Sequence, residues 1–309
     1  MSDFEYKPLP EIYQIEATNA CQLGCETCPR VEAADERGGL VHLDPNTLRT
    51  WVSRGDLDGS YFVELQASGE PLLNPRIGEV ISVLKEAGVM VGMSTNGLLL
   101  SQKLEDIKEL DTLTISLDTM IPELYAKMRP KITGEPGDFE ELCSNIDVLL
   151  ASEHCPPFVD LQLLSIMGTH RNVEKEKEQV AARWDHPSLK IRHIEDTFAL
   201  MQKRAKFDPG SKLCVNPWLS VSVLSNGDVS SCCYAWGQDT ENIYGNLNDQ
   251  PLKDIWNGSR VQALRDSLTS GKSKGQCIDC YFRSPYKIHL GFMPTITRRM
   301  SQRKSLRVI

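Results

Sequence analysis

The sequence predicts an α/β fold built around a parallel sheet. Two observations carry that reading. Strand-like runs alternate with helical patterns six times in succession, and capping or turn residues sit at most of the junctions. A length of 309 residues, 40% hydrophobic and 25% charged, suits one large domain or a large one with a small one attached.

Each element follows from local chemistry. Ile12 to Glu16 alternates as a first strand and runs straight into a cysteine-bearing loop. Asp44-Pro45 is an N-cap with proline at the first helical position, opening a helix to about Ser53. Tyr61 to Gln66 is the second strand. Asn74-Pro75 starts a helix that Gly88 ends, and Val89 to Thr95 is the third strand. A helix is expected over Gln102–Leu110, then a fourth strand over Thr112–Leu117. Helices cover Pro122–Met128 and Asp138–Leu150, with a Gly/Pro-rich break at Thr133 to Gly137 between them. Phe158 to Ile166 is the fifth strand and Leu189 to Ile194 the sixth. The charged run Glu174 to Glu178 between them reads as a solvated helix without function. Right-handed crossovers link such strands, and chemistry gathers at their carboxyl ends, where the cysteine loop after strand one lands.

Past residue 200 the pattern changes. Trp218–Leu224 and Val229–Tyr234 flank Asn226-Gly227, a hairpin signal. A helix over Leu252–Leu268 and the pair Cys277 and Cys280 follow. This is expected to be a small second domain, with thiols supplying a metal staple for a core too small to stand alone. The expected division is 1–200 for the first domain, 201–285 for the second and 286–309 for a basic tail.

Composition narrows the function classes. No run approaches the ~18 apolar residues of a membrane span, and Met1 to Glu5 lacks a signal-peptide pattern. A cytoplasmic location with reduced thiols is the expectation, so ten cysteines read as metal ligands or reactive groups. The net charge is −8, yet residues 281–309 hold seven Lys/Arg and no acid. That tail reads as solvated, with contact to an anionic partner as the alternative; neither nucleic acid nor membrane is an expected partner.

Cys21, Cys25 and Cys28 are spaced x3 then x2 after strand one. Gln22, Gly24, Glu26, Thr27 and Pro29 make this a poor helix, so the thiols do not line a buried helical face. Thiolates so close suit one soft metal centre. Three are one short of a closed zinc site or of a filled four-iron cluster, so either a borrowed ligand completes zinc or one iron is left open. In the second set, Cys214, Cys232 or its neighbour Cys233, Cys277 and Cys280 can converge on one tetrahedral site, and spacing alone favours structural zinc.

The first set resembles the Cys-x3-Cys-x2-Cys signature of the radical S-adenosylmethionine (SAM) superfamily, placed as that family places it. The resemblance implies a partial (β/α)6 barrel with a [4Fe–4S] cluster on Cys21, Cys25 and Cys28, and SAM chelating the open iron. Reductive cleavage of SAM then yields a 5′-deoxyadenosyl radical that abstracts hydrogen from substrate. Ser68-Gly69-Glu70-Pro71 looks like the family's Gly-Gly-Glu-Pro turn with Ser in the first glycine's place. There Glu70 would accept from SAM's ammonium, and Gly69 would let backbone approach the methionine. Ser94-Thr95-Asn96-Gly97 resembles a further family segment, which implies Ser94 and Asn96 near SAM. Ser116 and Arg129 look like the pair that contacts SAM's ribose and carboxylate. Relatives place an aromatic before the third cysteine; here Thr27 stands there, leaving its backbone to hold adenine.

Cys214, Gly227, Cys232, Tyr244 to Leu247, Pro251 to Trp256 and the Cys277/Cys280 pair resemble the SPASM/Twitch extension of radical SAM enzymes. No cysteine follows Cys280, so the likeness is to the Twitch form, a small α+β domain with one auxiliary [4Fe–4S] cluster on Cys214, Cys232, Cys277 and Cys280. The resemblance implies two clusters, SAM, and a flavodoxin- or ferredoxin-type electron donor. Four thiolates would close the auxiliary cluster, which suits an electron acceptor in the oxidation of a small sugar-like or aminocyclitol substrate, as in 2-deoxy-scyllo-inosamine dehydrogenase-type enzymes. A radical epimerase using Cys143, Cys155 or Cys233 as hydrogen donor, and a peptide maturase, share the initiation. Only 20 residues precede Cys21, so a leader-binding domain is not expected, which favours a small substrate. A non-catalytic metal-stapled module is the remaining class, and Glu70, Ser116 and Arg129 argue against it.

Overall fold

In the computed structural model, the described residues are 8–25, 28, 39–165, 171–195, 214, 216–230, 232, 242–272 and 277. Six parallel strands come first: β1 (Glu11–Ile15), β2 (Phe62–Leu65), β3 (Met90–Thr95), β4 (Thr112–Asp118), β5 (Val159–Ser165) and β6 (Leu189–Glu195). They lie in sequential order, the order of a singly wound barrel rather than of a doubly wound sheet. Successive right-handed crossovers in one direction put every connecting helix on the same face. Among the described residues the opposite face carries no helix.

The helices are α1 (Pro45–Ser53), α2 (Ile77–Glu86), α3 (Leu104–Ile107), α4 (Pro122–Met128), α5 (Phe139–Leu150) and α6 (Val173–Arg183). Asp44 caps α1 by accepting from Asn46 N at 2.6 Å, and Asp138 caps α5 by accepting from Glu141 N at 2.9 Å. Other boundaries move. Asn74 does not start α2; its amide holds the Ala17 and Leu43 carbonyls at 2.8 and 3.0 Å, and α2 begins three residues later. The helix expected over Gln102–Leu110 shrinks to a 3-10 turn, Leu100–Gln102, and the four residues of α3. Neither has a side-chain cap.

The core lies between sheet and helices. Val63, Leu65, Val91, Met93, Leu113, Ile115, Leu161 and Leu163 point toward it and are fully buried or nearly so, against Ile81, Leu84, Leu142, Ile146 and Leu149 of the helices. Each such side chain contributes about 1.5–3 kcal/mol. Most residues alternating with them on the strands are polar, Phe62 and Met90 being exceptions, and they face the side away from the described helices.

The charged run in α6 is not uniformly solvated. Glu176 is buried and forms a two-point ion pair with Arg171, its Oε2 also accepting from Thr119 Oγ1 at 2.7 Å and Met120 N at 2.8 Å. Arg171 in turn donates to the Asp118 and Leu164 carbonyls. The pair therefore clamps the turn leaving β4, where Asp118 takes a left-handed φ of 62°.

The C-terminal strands join the same sheet. After the short helix α7 (Asn216–Leu219), β7 (Ser220–Val223) pairs parallel to β1, and β8 (Asp228–Ser230) and β9 (Ile243–Asn246) continue antiparallel. One nine-stranded sheet results, in the order β6-β5-β4-β3-β2-β1-β7-β8-β9. The expected hairpin is present but shorter, with Trp218 in α7 instead of β7. The expected helix over Leu252–Leu268 is two, α8 (Leu252–Trp256) and α9 (Ser259–Thr269), parted at Asn257-Gly258. The basic tail lies outside the described residues, and no described helix is long and apolar enough to cross a membrane.

Candidate active site

The loop after β1 carries Cys21, Cys25 and Cys28, three half-buried cysteines. Backbone bonds fix it from two sides. Gly24 N donates to Pro130 O at 2.8 Å and Ile132 N to Gln22 O at 2.9 Å, tying it to the segment after α4. Glu70 N donates to Ala20 O at 2.6 Å from the loop after β2. Donors gather on one sulfur: Leu23 N lies 3.5 Å and Asn96 Nδ2 4.0 Å from Cys21 Sγ. Among the described residues no three His, Cys, Asp or Glu side chains converge tightly enough to hold one metal ion. An iron–sulfur cluster makes no such demand, since each thiolate can hold a different iron, and N–H groups on sulfur suit it. The donor set fits a cluster.

Glu70 is buried, and burial lifts its pKa while hydrogen bonds from Asn96 N, Thr95 and Leu72 N hold it down. Oε1 accepts from Thr95 Oγ1 at 2.6 Å and Leu72 N at 3.1 Å, and Oε2 from Asn96 N at 2.7 Å. Three acceptor positions are thus used within the protein, joining the β2 and β3 loops, and one on Oε2 is left for a ligand's N–H. Gly69 has a different reason from the expected one. A Cβ there would overlap the Thr18 carbonyl oxygen and lie 2.7 Å from Ala20 O, so the glycine lets the β2 loop press on the cysteine loop itself. Ser68, standing where relatives have glycine, bonds through Oγ and N to Glu16 Oε1. Glu16 Oε2 accepts from Ser225 N at 3.0 Å and Ser225 Oγ at 2.7 Å. Sequence reading missed Glu16; its only local signal was an acid ending an otherwise buried strand.

Arg129 reaches the end of β4 at Asp118, two residues after Ser116. Arg129 Nε donates to Asp118 Oδ2 at 2.6 Å, which leaves the Nη end of its fork for another acceptor. Burial works against its charge, but Asp118 and Cys25 outweigh that and hold its pKa well above the usual value. Asp118 Oδ1 and the Tyr125 hydroxyl are buried and pair with no group among the described residues. A buried orphan acceptor and hydroxyl beside an open guanidinium fit a polar ligand carrying a carboxylate and hydroxyls.

The sequence profile of the radical SAM superfamily matches residues 15–153, spanning all three thiols, Glu70, Ser116 and Arg129, and that of the SPASM iron–sulfur cluster-binding domain matches 214–281. The chain carries a radical SAM domain followed by an iron–sulfur cluster-binding domain. Curated relatives of this radical SAM enzyme include a probable GTP 3′,8-cyclase of Methanocaldococcus jannaschii, 29% identical over 156 residues, or 50% of each chain. An AdoMet-dependent heme synthase of Methanosarcina barkeri is 23% identical over 328 residues, 89% of each. The chain thus spans about half of the first relative's length and most of the second's. Among solved structures, BtrN in complex with AdoMet and 2-DOIA has a TM-score of 0.50 at 15% identity, covering 85% of this chain and 88% of that one. Streptococcus suis SuiB bound to S-adenosylmethionine has a TM-score of 0.52 at 16% identity, covering 88% and 69%. These likenesses show a shared fold.

The remaining site residues of the radical SAM enzyme divide. Asn96 sits beside Cys21 and accepts from Gln22 Nε2 at 3.3 Å. Ser94 points lower, donating to Glu64 Oε1 at 2.7 Å. Cys143 is fully buried among the apolar side chains between α5 and the sheet, on the far face from Ser116, and burial pushes its thiol up to about 11. That placement suits packing and withholds it from a radical at the strand ends. Cys155 is half-buried with Sγ 3.7 Å from Pro156 O, after α5 and so at the amino end of β5. Cys214, Cys232 and Cys277 are half-buried. Thr27, Cys233 and Cys280 lie outside the described residues.

Proposed function

We propose that this radical SAM enzyme oxidises a small polyhydroxylated or amino-bearing substrate, with an auxiliary cluster taking the electron. The observation that carries the substrate class is the face of the barrel sheet opposite the described helices. Gln14, Glu64, Gly92, Ser94, Thr114, Ser116, Asp160, Gln162 and Arg192 alternate with the core residues across all six strands. A lumen so lined offers donors and acceptors to hydroxyls and amines and little to an apolar molecule.

In this reading Cys21, Cys25 and Cys28 hold one [4Fe–4S] cluster, and Cys214, Cys232, Cys277 and Cys280 hold a second, the Twitch arrangement. When bound, the first cluster and SAM supply a carbon radical that removes a hydrogen atom from substrate. The protein's own part is placement. Glu70 and Asn96 fix the loop at Cys21, Arg129 offers its Nη end to SAM's carboxylate, and Asp118 Oδ1 offers an acceptor. BtrN, whose structure holds AdoMet and 2-DOIA, shares the fold and lends the aminocyclitol class its support. A flavodoxin- or ferredoxin-type protein is the proposed electron donor. Burial of Cys143 weighs against its use as the donor of an epimerase.

Anaerobic reconstitution tests the reading. About eight irons per chain and 5′-deoxyadenosine from SAM and dithionite are expected, with Cys25→Ala abolishing the nucleoside. Zinc with about four irons would remove the second cluster; nucleoside formation by Cys25→Ala would remove the radical assignment.

A further inference from the structure

Glu64 lies on the floor of the polar lumen, at β2, and no family motif accounts for it. Three features of the sheet build its position. Register sets Gln14 of β1 and Gly92 of β3 directly beside it. Gly92 makes room for it: a Cβ there would overlap Glu64 Oε2, meet the Phe62 ring and lie 2.6 Å from Thr112 Oγ1. Ser94, one step nearer the strand ends, donates to Oε1. Glu64 is 5% exposed, and the half-buried polar residues Ser94, Ser116, Gln162 and Arg192 lie on the same face nearer the strand ends.

We propose that Glu64 is the catalytic base of this enzyme, the lumen carboxylate that takes the proton from a substrate hydroxyl. The inference rests on the oxidation proposed above. Once a hydrogen atom has left the carbinol carbon, the hydroxyl O–H bond breaks, its electron pair stays on oxygen and the proton moves to Glu64. The unpaired electron leaves to a one-electron acceptor of the iron–sulfur class, and a carbonyl forms.

The charge environment suits this role. Burial is the largest influence and, with Asp160 of β5, raises the pKa; the Ser94 hydrogen bond and Arg192 of β6 lower it, and the balance is about 7. A base poised there is half-ionised at neutral pH and returns the proton readily.

Two readouts test it on the reconstituted full-length enzyme. Infrared difference spectra between pH 5.5 and 8.5 should show a protonated carboxyl C=O stretch that titrates near neutrality. The band should vanish in Glu64→Gln and titrate at higher pH in Ser94→Ala. No such band in the wild type, or its persistence in Glu64→Gln, would overturn the assignment without any bearing on the radical reading. The second readout uses carbinol-deuterated scyllo-inosamine and myo-inositol as probes. Wild type should move deuterium into 5′-deoxyadenosine and form ketone. Glu64→Gln should keep the deuterium transfer while ketone falls about 10²–10⁴-fold, and Glu64→Asp should recover part of it. Equal ketone from Glu64→Gln overturns the base alone. No deuterium transfer from either probe in the wild type overturns the polyol reading, and the base with it.

Discussion

A methyl group at position 92 would meet both Glu64 and Phe62, so Gly92→Ala should force Glu64 off Ser94 and lower stability by about 1–3 kcal/mol. Denaturant midpoints under anaerobic conditions measure this, and an unchanged midpoint would mean the lumen has slack. Glu64 also makes stability depend on pH with a definite sign. Its folded pKa is about 7 against 4.5 for the ordinary group. Between those values the folded chain keeps a proton that the unfolded chain has released, so stability falls as pH rises through that window and levels off above it. Glu64→Gln should remove the fall, gaining up to about 3 kcal/mol on wild type between pH 4.5 and pH 8. A gap between the two proteins that is equal at both pH values would contradict it. The position was legible in outline. Phe62-Val-Glu-Leu-Gln66, Thr112-Leu-Thr-Ile-Ser-Leu117 and Asp160-Leu-Gln-Leu163 alternate polar with apolar, whereas parallel strands covered on both faces read as continuous apolar runs. That contrast marks one polar face on the sheet.

Helices and strands were readable where their determinants are local and less so where a distant partner decides. Asp44-Pro45, Pro122 and Asp138 carry their own capping chemistry, and α1, α4 and α5 start at or one residue after them. Asn74 has the same local look, but the Ala17 and Leu43 carbonyls claim its amide, and neither is its sequence neighbour. The misreading of α6 has the same origin. Glu174 to Glu178 looks like a solvated charge run because Glu176's partners come from elsewhere: Arg171 before the helix and the backbone at Thr119–Met120, more than fifty residues earlier. Removing one member of a buried pair leaves the other charge stranded, so Glu176→Ala should cost about 3–5 kcal/mol. Replacing both, as Arg171→Met with Glu176→Leu, should recover much of the loss. Hydrogen exchange at Thr119 and Met120 should accelerate in the single variant. If the double variant is no more stable than the single one, the pair holds the β4 turn in a way apolar packing cannot replace.

At the scale of the whole molecule, the small second domain expected past residue 200 is joined to the first through the sheet itself, its strands continuing from the edge of β1. The hairpin signal was local and legible; its pairing partner, some two hundred residues earlier, was not. The joint is fastened beyond its backbone ladder. Trp51 Nε1 donates to Asn248 Oδ1 at 3.2 Å, Arg54 Nη2 to Leu247 O at 2.6 Å, and Leu252 N to Asp56 Oδ1 at 2.8 Å. Glu16 reaches furthest toward the chemistry, because its two oxygens hold Ser68 on one side and Ser225 on the other. Ser68 adjoins Gly69 and Glu70, so the loop at Cys21 is braced through one carboxylate by the turn between β7 and β8. Ser225→Ala removes one of those bonds without touching any cysteine or any residue assigned to SAM. The Glu16 brace should loosen, and SAM affinity should fall several-fold, a part of the roughly 1.5–3 kcal/mol that a hydrogen bond to a charged group contributes. Iron content should stay at the wild-type level. SAM titration of reconstituted protein followed by the cluster's electron paramagnetic resonance signal gives both numbers. A Kd equal to wild type, with only the unfolding midpoint lowered, would show that the brace supports the fold and does not reach the site.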